Sequence, residues 1–301
     1  MTKQQDRPGP VKAARLRVHP KMTLVEGLQM ICADCLHQIV GNVAGVVHSS
    51  EPEYLHQMRI GLRRLRAACS LLKRIAPLPL TLAQELDWLA AQLGPARDWD
   101  VLAHDTLPRL AACAPPELAL DGLRQQVLVQ AAQVRRTAAS ALQDARFAAL
   151  LQALADWAAN PPSAMPQQLQ EPLRRLALPL AQRRMRQLQK RSRQLLLADQ
   201  AQRHALRISA KKARYASEFL RALYPAPALQ RYLGALGTLQ EGLGRLHDAG
   251  VAETLLASLP PDPLLATANA WVRGWLAAIS HGALPAELLG LPLKPVKLKH
   301  K

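Results

Sequence analysis

Apolar positions in this chain recur every three or four residues and almost nowhere alternate, so the pattern predicts helices and no strand of useful length. The first apolar-periodic stretch covers residues 22–47. Ser49-Ser50-Glu51-Pro52-Glu53 then reads as a helix start, with Ser50 as cap, Pro52 in the first turn and the two glutamates near the positive dipole end. That helix should end before Pro77 and Pro79. The helix over 82–93 is expected to break at Gly94-Pro95, after which Arg97-Asp98-Trp99-Asp100 starts a short helix that stops before Pro108. Pro115-Pro116-Glu117 opens a long helix to about Arg146, and another covers about 144–158, stopping at Asn160-Pro161-Pro162. In the second half the pattern predicts helices over about 168–197 (bent at Pro179), from about His204 to a stop before Pro225, over 229–243, and over about 264–280.

The second half repeats the plan of the first. Both 82–93 and 229–243 close in Leu-Gly, and Arg97-Asp98 then matches His247-Asp248, with Val101 and Val251 at the same distance beyond. The expected fold is all-α: two four-helix-type bundles from an internal duplication, related by a pseudo-two-fold axis around a basic central pore or groove. The bundles would cover about 22–160 and 165–285, with the boundary in the Pro-rich segment 160–166. Residues 1–21 read as a flexible basic tail and 286–301 as a basic C-terminal tail carrying Lys294, Lys297, Lys299 and Lys301.

Composition agrees with helix-on-helix packing: 301 residues, 49% hydrophobic, 4% aromatic, with Leu and Ala dominant. Formal net charge is +17. Such an excess attracts polyanions, whether nucleic acid, anionic lipid or an inorganic phosphate polymer. Cys32, Cys35, Cys69 and Cys113 make no disulfide framework in a chain this long, and Cys32 and Cys35 fit core positions. The expectation is a reduced, cytoplasmic protein. Residues 1–18 hold no apolar signal core, and Glu26, Asp34 and His37 argue against membrane insertion of 22–47.

Charge becomes informative once placed on the helices. The spelling His-x-x-Arg-Ile-x-x-(Arg/Lys)-(Arg/Lys)-x-Arg occurs at His56–Arg66 and again at His204–Arg214. At about 100° per residue, His56, Arg59, Arg63 and Arg66 share one face, beside an apolar face of Met58, Leu62, Leu65 and Cys69. His204, Arg207, Lys211 and Arg214 repeat it. No acid occurs between Tyr54 and Gln84 or between His204 and Ser217. Like charges one turn apart oppose each other on an exposed helix, so the pattern makes sense if an external anion supplies the missing charge. The plain alternative is an exposed arginine-rich helix. Arg183, Arg186, Lys190 and Arg193 form a third stripe, and Arg64, Arg97, Lys212 and His247 are secondary candidates. Asp98 and Asp248 are read as helix caps or as groups that orient nearby Arg and His side chains. No His spacing suggests a metal site, and no cofactor is expected.

These two motifs, with Leu93-Gly94-Pro95-Ala96-Arg97-Asp98-Trp99-Asp100-Val101 and Leu243-Gly244-Arg245-Leu246-His247-Asp248, resemble the CHAD family, the conserved-histidine alpha-helical domain. The resemblance spans about 22–280. It implies two pseudo-symmetric helical bundles with a basic centre that binds inorganic polyphosphate, and association with polyphosphate granules. By motif position, the His and basic residues of the two stripes would be the ligands. Members are often fused to a triphosphate-tunnel domain bearing Glu-x-Glu-x-Lys; the chain contains no such motif, which implies a stand-alone, non-hydrolytic binder.

Two other functions fit less of the sequence. Nucleic-acid binding suits the charge, and weak binding is compatible with it, but the basic helices carry almost no aromatics for stacking bases. A phosphoryl-transfer enzyme using His56 or His204 would want a carboxylate cluster for a metal or a Gly-rich phosphate loop, and neither pattern appears.

Overall fold

Thr23 opens the first helix with a capping box: its hydroxyl accepts from the Glu26 N–H at 3.3 Å, while the Glu26 carboxylate accepts from the Thr23 N–H at 2.8 Å. The computed structural model describes residues 9–118, 120–195 and 199–297. Helices α1 (Leu24–Val40), α2 (Val43–His48), α3 (Pro52–Leu72) and α4 (Leu80–Val101) lead into a π-helical turn at Leu102–Thr106 and then α5 (Leu107–Ala111). α6 (Leu120–Gln143), α7 (Ala145–Ala159) and the short α8 (Pro166–Leu169) complete the first half. α9 (Leu173–Ser192), α10 (Gln200–Phe219), α11 (Ala226–Ala257) and α12 (Ala266–His281) form the second. No strand occurs among the described residues, and the fold is all-α as expected. Helix neighbours follow one order in each half: α1 packs on α3, α3 on α4 and α4 on α6, as α9 packs on α10, α10 on α11 and α11 on α12.

Several expected boundaries move, each for a physical reason. The stretch expected as one helix over 22–47 divides at Gly41-Asn42. There the buried Asn42 side chain accepts from the Val11 N–H at 3.0 Å and donates to the Val11 carbonyl at 2.9 Å. Residues 9–21, expected as flexible tail, are therefore pinned along α1 from Val11 to the buried Val18; residues 1–8 lie outside the described residues. Glu51, not Ser50, holds the cap position of α3, and Pro52 sits in its first turn. The expected break at Gly94-Pro95 does not occur. Leu86, Leu89, Leu93, Ala96 and Trp99 bury one continuous face, Pro95 stays exposed, and packing outweighs the one lost hydrogen bond. Likewise α11 runs for 32 residues through Gly244. The helix expected over 168–197 is described as α9, ending at Ser192; residues 196–198 lie outside the described residues. The C-terminal stretch places Leu288, Leu293 and Val296 in the core, while Lys299 and Lys301 are outside the described residues.

Two apolar cores form, and each draws on both halves of the chain, unlike one core per half divided at 160–166. The first takes α1, α3, α7, α9, α10 and the leading parts of α4 and α11. The second takes Trp99 to Leu110, the leading part of α6, the rest of α11 and α12, while Ala138 and Leu142 at the end of α6 join the first. The stretch Leu24–His48 is long and apolar enough to span a membrane, yet it is broken and its apolar face, Leu24, Leu28, Ile31, Cys35 and Ile39, is sealed in the first core.

A polar chain crosses this core. Arg64 donates to Asp34 Oδ2 at 2.6 Å and to Gln38 Oε1 at 2.8 Å, and lies over the Phe219 ring of α10. Gln38 donates to Gln57, which donates to Glu53. Arg64, read from sequence as a secondary ligand, is thus an internal strut: only 5% of its side chain is exposed, against 8% for Asp34. Arg64→Leu strands a buried carboxylate and is expected to cost roughly 3–5 kcal/mol, read as a lower urea midpoint, with Asp34→Asn returning part of the loss.

Candidate functional site

Four helices meet where the two cores divide: α3 packs on α4, α10 on α11, α3 on α10 and α4 on α11. On α4 the division falls between Ala96 of the first core and Trp99 of the second; on α11 it falls between Leu243 and Ala249. Arg97-Asp98 and His247-Asp248 occupy these two gaps. Both aspartates sit inside unbroken helices, so neither is an N-cap, which corrects one of the two readings made from sequence. Asp248 instead faces Arg207 at 3.7 Å.

α3 contributes His56, Arg59 and Arg63 to this seam, and α10 contributes His204, Arg207 and Lys211. Helix periodicity puts Met58, Leu62, Leu65, Leu206, Ala210 and Ala213 in the core, which turns the cations to the neighbouring face. The Arg59 guanidinium reaches α4 at Gly94, where an added Cβ would come within 3.3 Å of Nη1. Burial lowers the Arg59 pKa to about 10; Arg63 and Arg97 push it the same way, and Asp98 opposes them. Burial also lowers Arg97 and Arg207. Lys211 falls to about 7, first through burial and then through Arg207 and Arg63. Burial, reinforced by nearby cations, holds His56 and His247 at about 4. Burial pushes Asp98 and Asp248 up, against the pull of neighbouring arginines.

Arg63 acts on His56, Arg59, Arg97, Arg207 and Lys211 alike, which makes it the hub of the cluster. Its Nε is buried and has no hydrogen-bond partner. An orphaned charged donor amid like charges is costly, and an anion between these helices would satisfy it.

The structure sorts the remaining candidates. The rings of His204 and His247 lie 5.6 Å apart in the lining of a cleft of about 620 Å³ between α10, α11 and α12. Arg203 and Arg207 line one side of this cleft and Leu243, Leu246 and Leu255 the other. Arg66 pairs with Asp87, and Arg214 donates to Glu218 at 2.8 Å and Gln240 at 2.9 Å, so the last cation of each stripe is turned to an acid of its own surface. Asp100, beside the seam, is taken by Arg135 through two hydrogen bonds of 2.8 and 2.9 Å.

Lys212 faces away from Lys211 into a second cleft, of about 330 Å³, with Lys73, Arg74, Arg183, Arg184 and Arg191. Burial and then Arg184 lower its pKa. Of the third stripe, only Arg183 lines this cleft; Arg186 and Lys190 are exposed on α9 and Arg193 is exposed at its C-cap. Arg184, which donates to Ser70 at 3.1 Å, and Arg191 were missed from sequence. The signal was present: Ala181, Met185 and Leu188 define the buried face of α9, and Arg184 and Arg191 flank it one turn away.

An all-helical protein whose permanent cations gather between two apolar cores is the class these features define. The chain belongs to the CHAD domain family, whose model matches residues 30–257. It is similar to the crystal structure of the CHAD domain from the plant Ricinus communis, with 34% identity and a TM-score of 0.86 over 96% of this chain and 99% of that one. PptA from Streptomyces chartreusis shares the fold, with a TM-score of 0.62 and 18% identity over 86% of this chain and 95% of that one. No curated protein sequence matches the chain.

The lowered pKa of Lys211 fixes a stability trend. Below pH 7 the amine is charged in both states and the folded state bears the full penalty. Between about 7 and 10.5 the unfolded chain binds the extra proton, so this residue makes stability rise with pH. Lys211→Met should therefore be more stable than wild type at pH 6, with the gap closing as pH approaches 10.5. Urea midpoints across that range check it, and a gap independent of pH would mean that the amine is not held neutral.

Proposed function

We propose that the protein binds inorganic polyphosphate without altering it chemically, and that this binding brings it to polyphosphate granules. One observation carries the reading: Arg59, Arg63, Arg97, Arg207 and Lys211 crowd one seam, where Asp98 and Asp248 oppose them and Asp100 and Glu53 act on Arg97, and yet the hub Arg63 keeps a buried N–H without an acceptor. The CHAD family is polyphosphate-related, which supports the same ligand. Guanidinium forks match phosphate oxygens, and the helical rise of about 5.4 Å per turn spaces Arg59, Arg63 and Arg207, Lys211 as a ladder for repeated anionic charge. In the free protein Asp248 faces Arg207 at 3.7 Å; a phosphate chain takes over that role.

Anion binding also recruits protons. A neighbouring phosphate raises the pKa of Lys211, His56 and His247, all depressed in the free cluster, so the complex takes up protons and affinity should rise as pH falls from 8 to 6.

Binding of long-chain polyphosphate across a salt series tests the site. Replacing Arg63, Arg207 and Lys211 together by Gln should weaken binding roughly 10- to 100-fold, since charge-assisted hydrogen bonds are lost. Replacing the exposed Arg186, Lys190 and Arg193 should cost no more than about 3-fold and mainly flatten the salt dependence. Equal losses from the two triples would mean diffuse attraction rather than a seam site. RNA that displaces polyphosphate as readily, at equal charge concentration, as polyphosphate itself does would overturn the choice of ligand.

A further inference from the structure

The larger cleft, between α10, α11 and α12, is used only in part by the proposed function. Its volume of about 620 Å³ falls in the range of small-molecule sites, roughly 300–1,000 Å³. Leu243, Leu246, Val251 and Leu255 give α11 an apolar wall along it. Leu246, Val251 and Leu255 are only half-buried, so they keep apolar surface in water until something covers it. No carboxylate lines the cleft among the described residues.

Polar groups are placed around this wall. Arg203 Nη1 donates to the Gly282 carbonyl at 3.4 Å, which ties the guanidinium to the C-cap of α12. Arg207 faces Asp248 at 3.7 Å, too long for a charge-assisted hydrogen bond, so a nearer anion can displace that partner. The rings of His204 and His247 add two aromatic surfaces, 5.6 Å apart and tilted by 45°. Burial and nearby cations hold His247 at about 4, so its ring is uncharged at neutral pH. Thr254 Oγ1 donates to the Gly250 carbonyl at 3.0 Å, and Ser280 Oγ to the Ala277 carbonyl at 3.2 Å. With their protons committed to their own helices, both hydroxyls offer lone pairs to the cleft. A matching ligand carries an anion for two guanidiniums, a flat apolar body for the wall and the rings, and an N–H donor for the hydroxyls.

We propose that this cleft binds a nucleoside monophosphate with an amino-bearing base, its phosphate on Arg203 and Arg207 and its base against Leu246, Val251 and the His247 ring. Arg207 belongs to both sites, because Arg63 and Asp98 of the seam act on it as well. A phosphate that draws Arg207 into the cleft withdraws it from the seam. Nucleotide and polyphosphate therefore weaken each other, by the same factor in both directions. That coupling rests on the polyphosphate reading above; nucleotide binding does not.

The test is calorimetric titration of the full chain with adenosine 5′-monophosphate. Ribose 5-phosphate supplies the phosphate without the base, adenosine the base without the phosphate, and purine riboside 5′-monophosphate the same molecule without its amino group. The nucleotide is expected to bind at least ~10-fold more tightly than either half, and more tightly than the purine riboside compound. Affinity no better than that of ribose 5-phosphate would mean general attraction to a basic protein and overturns the proposal. Parity with the purine riboside compound overturns the amino-bearing base. Two variants locate the ligand. A Cβ at Gly250 would meet only Ser280 Cβ, at 3.6 Å, so Gly250→Leu fills the cleft and gains helix propensity. Val251→Phe fills it from the next position, and urea midpoints show that each variant is folded. Both should lose at least ~10-fold in nucleotide affinity and keep polyphosphate affinity. Unchanged nucleotide affinity in both overturns the cleft as the site. Polyphosphate binding without nucleotide binding sinks the cleft ligand alone, and the reverse sinks the proposed function alone. Two ligands that bind without affecting each other overturn the shared use of Arg207.

Discussion

The constraint on which this structure turns is the crowding of like charge at a seam between two apolar cores. Five cations converge from α3, α4 and α10, and the protein answers them from within by Asp98 and Asp248, with Asp100 and Glu53 acting on Arg97 from the side. Burial lowers the proton affinity of Lys211 and of the His56 and His247 rings, so part of the charge is shed rather than paired. What cannot be shed, chiefly the guanidinium of Arg63, stays as unmet demand for an acceptor. A protein optimised only for stability would fill such a seam with leucines; these residues instead leave it polar and under-compensated, the usual sign of a site kept for a ligand.

The frame around the seam tolerates that crowding because its other buried charges are fully met. Arg64 is shared by Asp34 and Gln38, and Asp100 is gripped at both oxygens by Arg135. Each pair links elements far apart in sequence, α3 with α1 and α4 with α6. The helices that carry the cluster are thus held from behind by satisfied polar contacts, and the unsatisfied ones are confined to the face they share.

Much of this was legible in the chain, because helices write their buried faces at three- and four-residue spacing. The all-α fold, the two repeated motifs and the pairing of Arg97-Asp98 with His247-Asp248 could be read directly. What failed did so where local signals compete with packing. Gly94-Pro95 is a strong breaker in isolation, yet the face formed by Leu86, Leu89, Leu93, Ala96 and Trp99 carries the helix through it. Arg64 and Arg63 are neighbours in one cationic run, and only the tertiary positions of Asp34 and Gln38 decide that one is a strut and the other a hub. On α9 the cleft is lined by Arg183, Arg184 and Arg191, of which the stripe read from sequence contains Arg183, while its Arg186, Lys190 and Arg193 are exposed.

The way the two cores recruit the chain bears on how the protein is made. The first core needs α1 and α3, but also Leu229 to Leu243 and the closing residues Leu288 to Val296. The second needs Leu102 to Leu110, but also Ala249 to Leu276. A ribosome that has released only the first half has released no complete core. The apolar faces of α3 and α4 are then covered only in part, by α1, α6 and α7, until α10 and α11 emerge, which is the period in which such surfaces aggregate. Completion of both cores therefore waits for α11, and a product ending before it would leave each of them open.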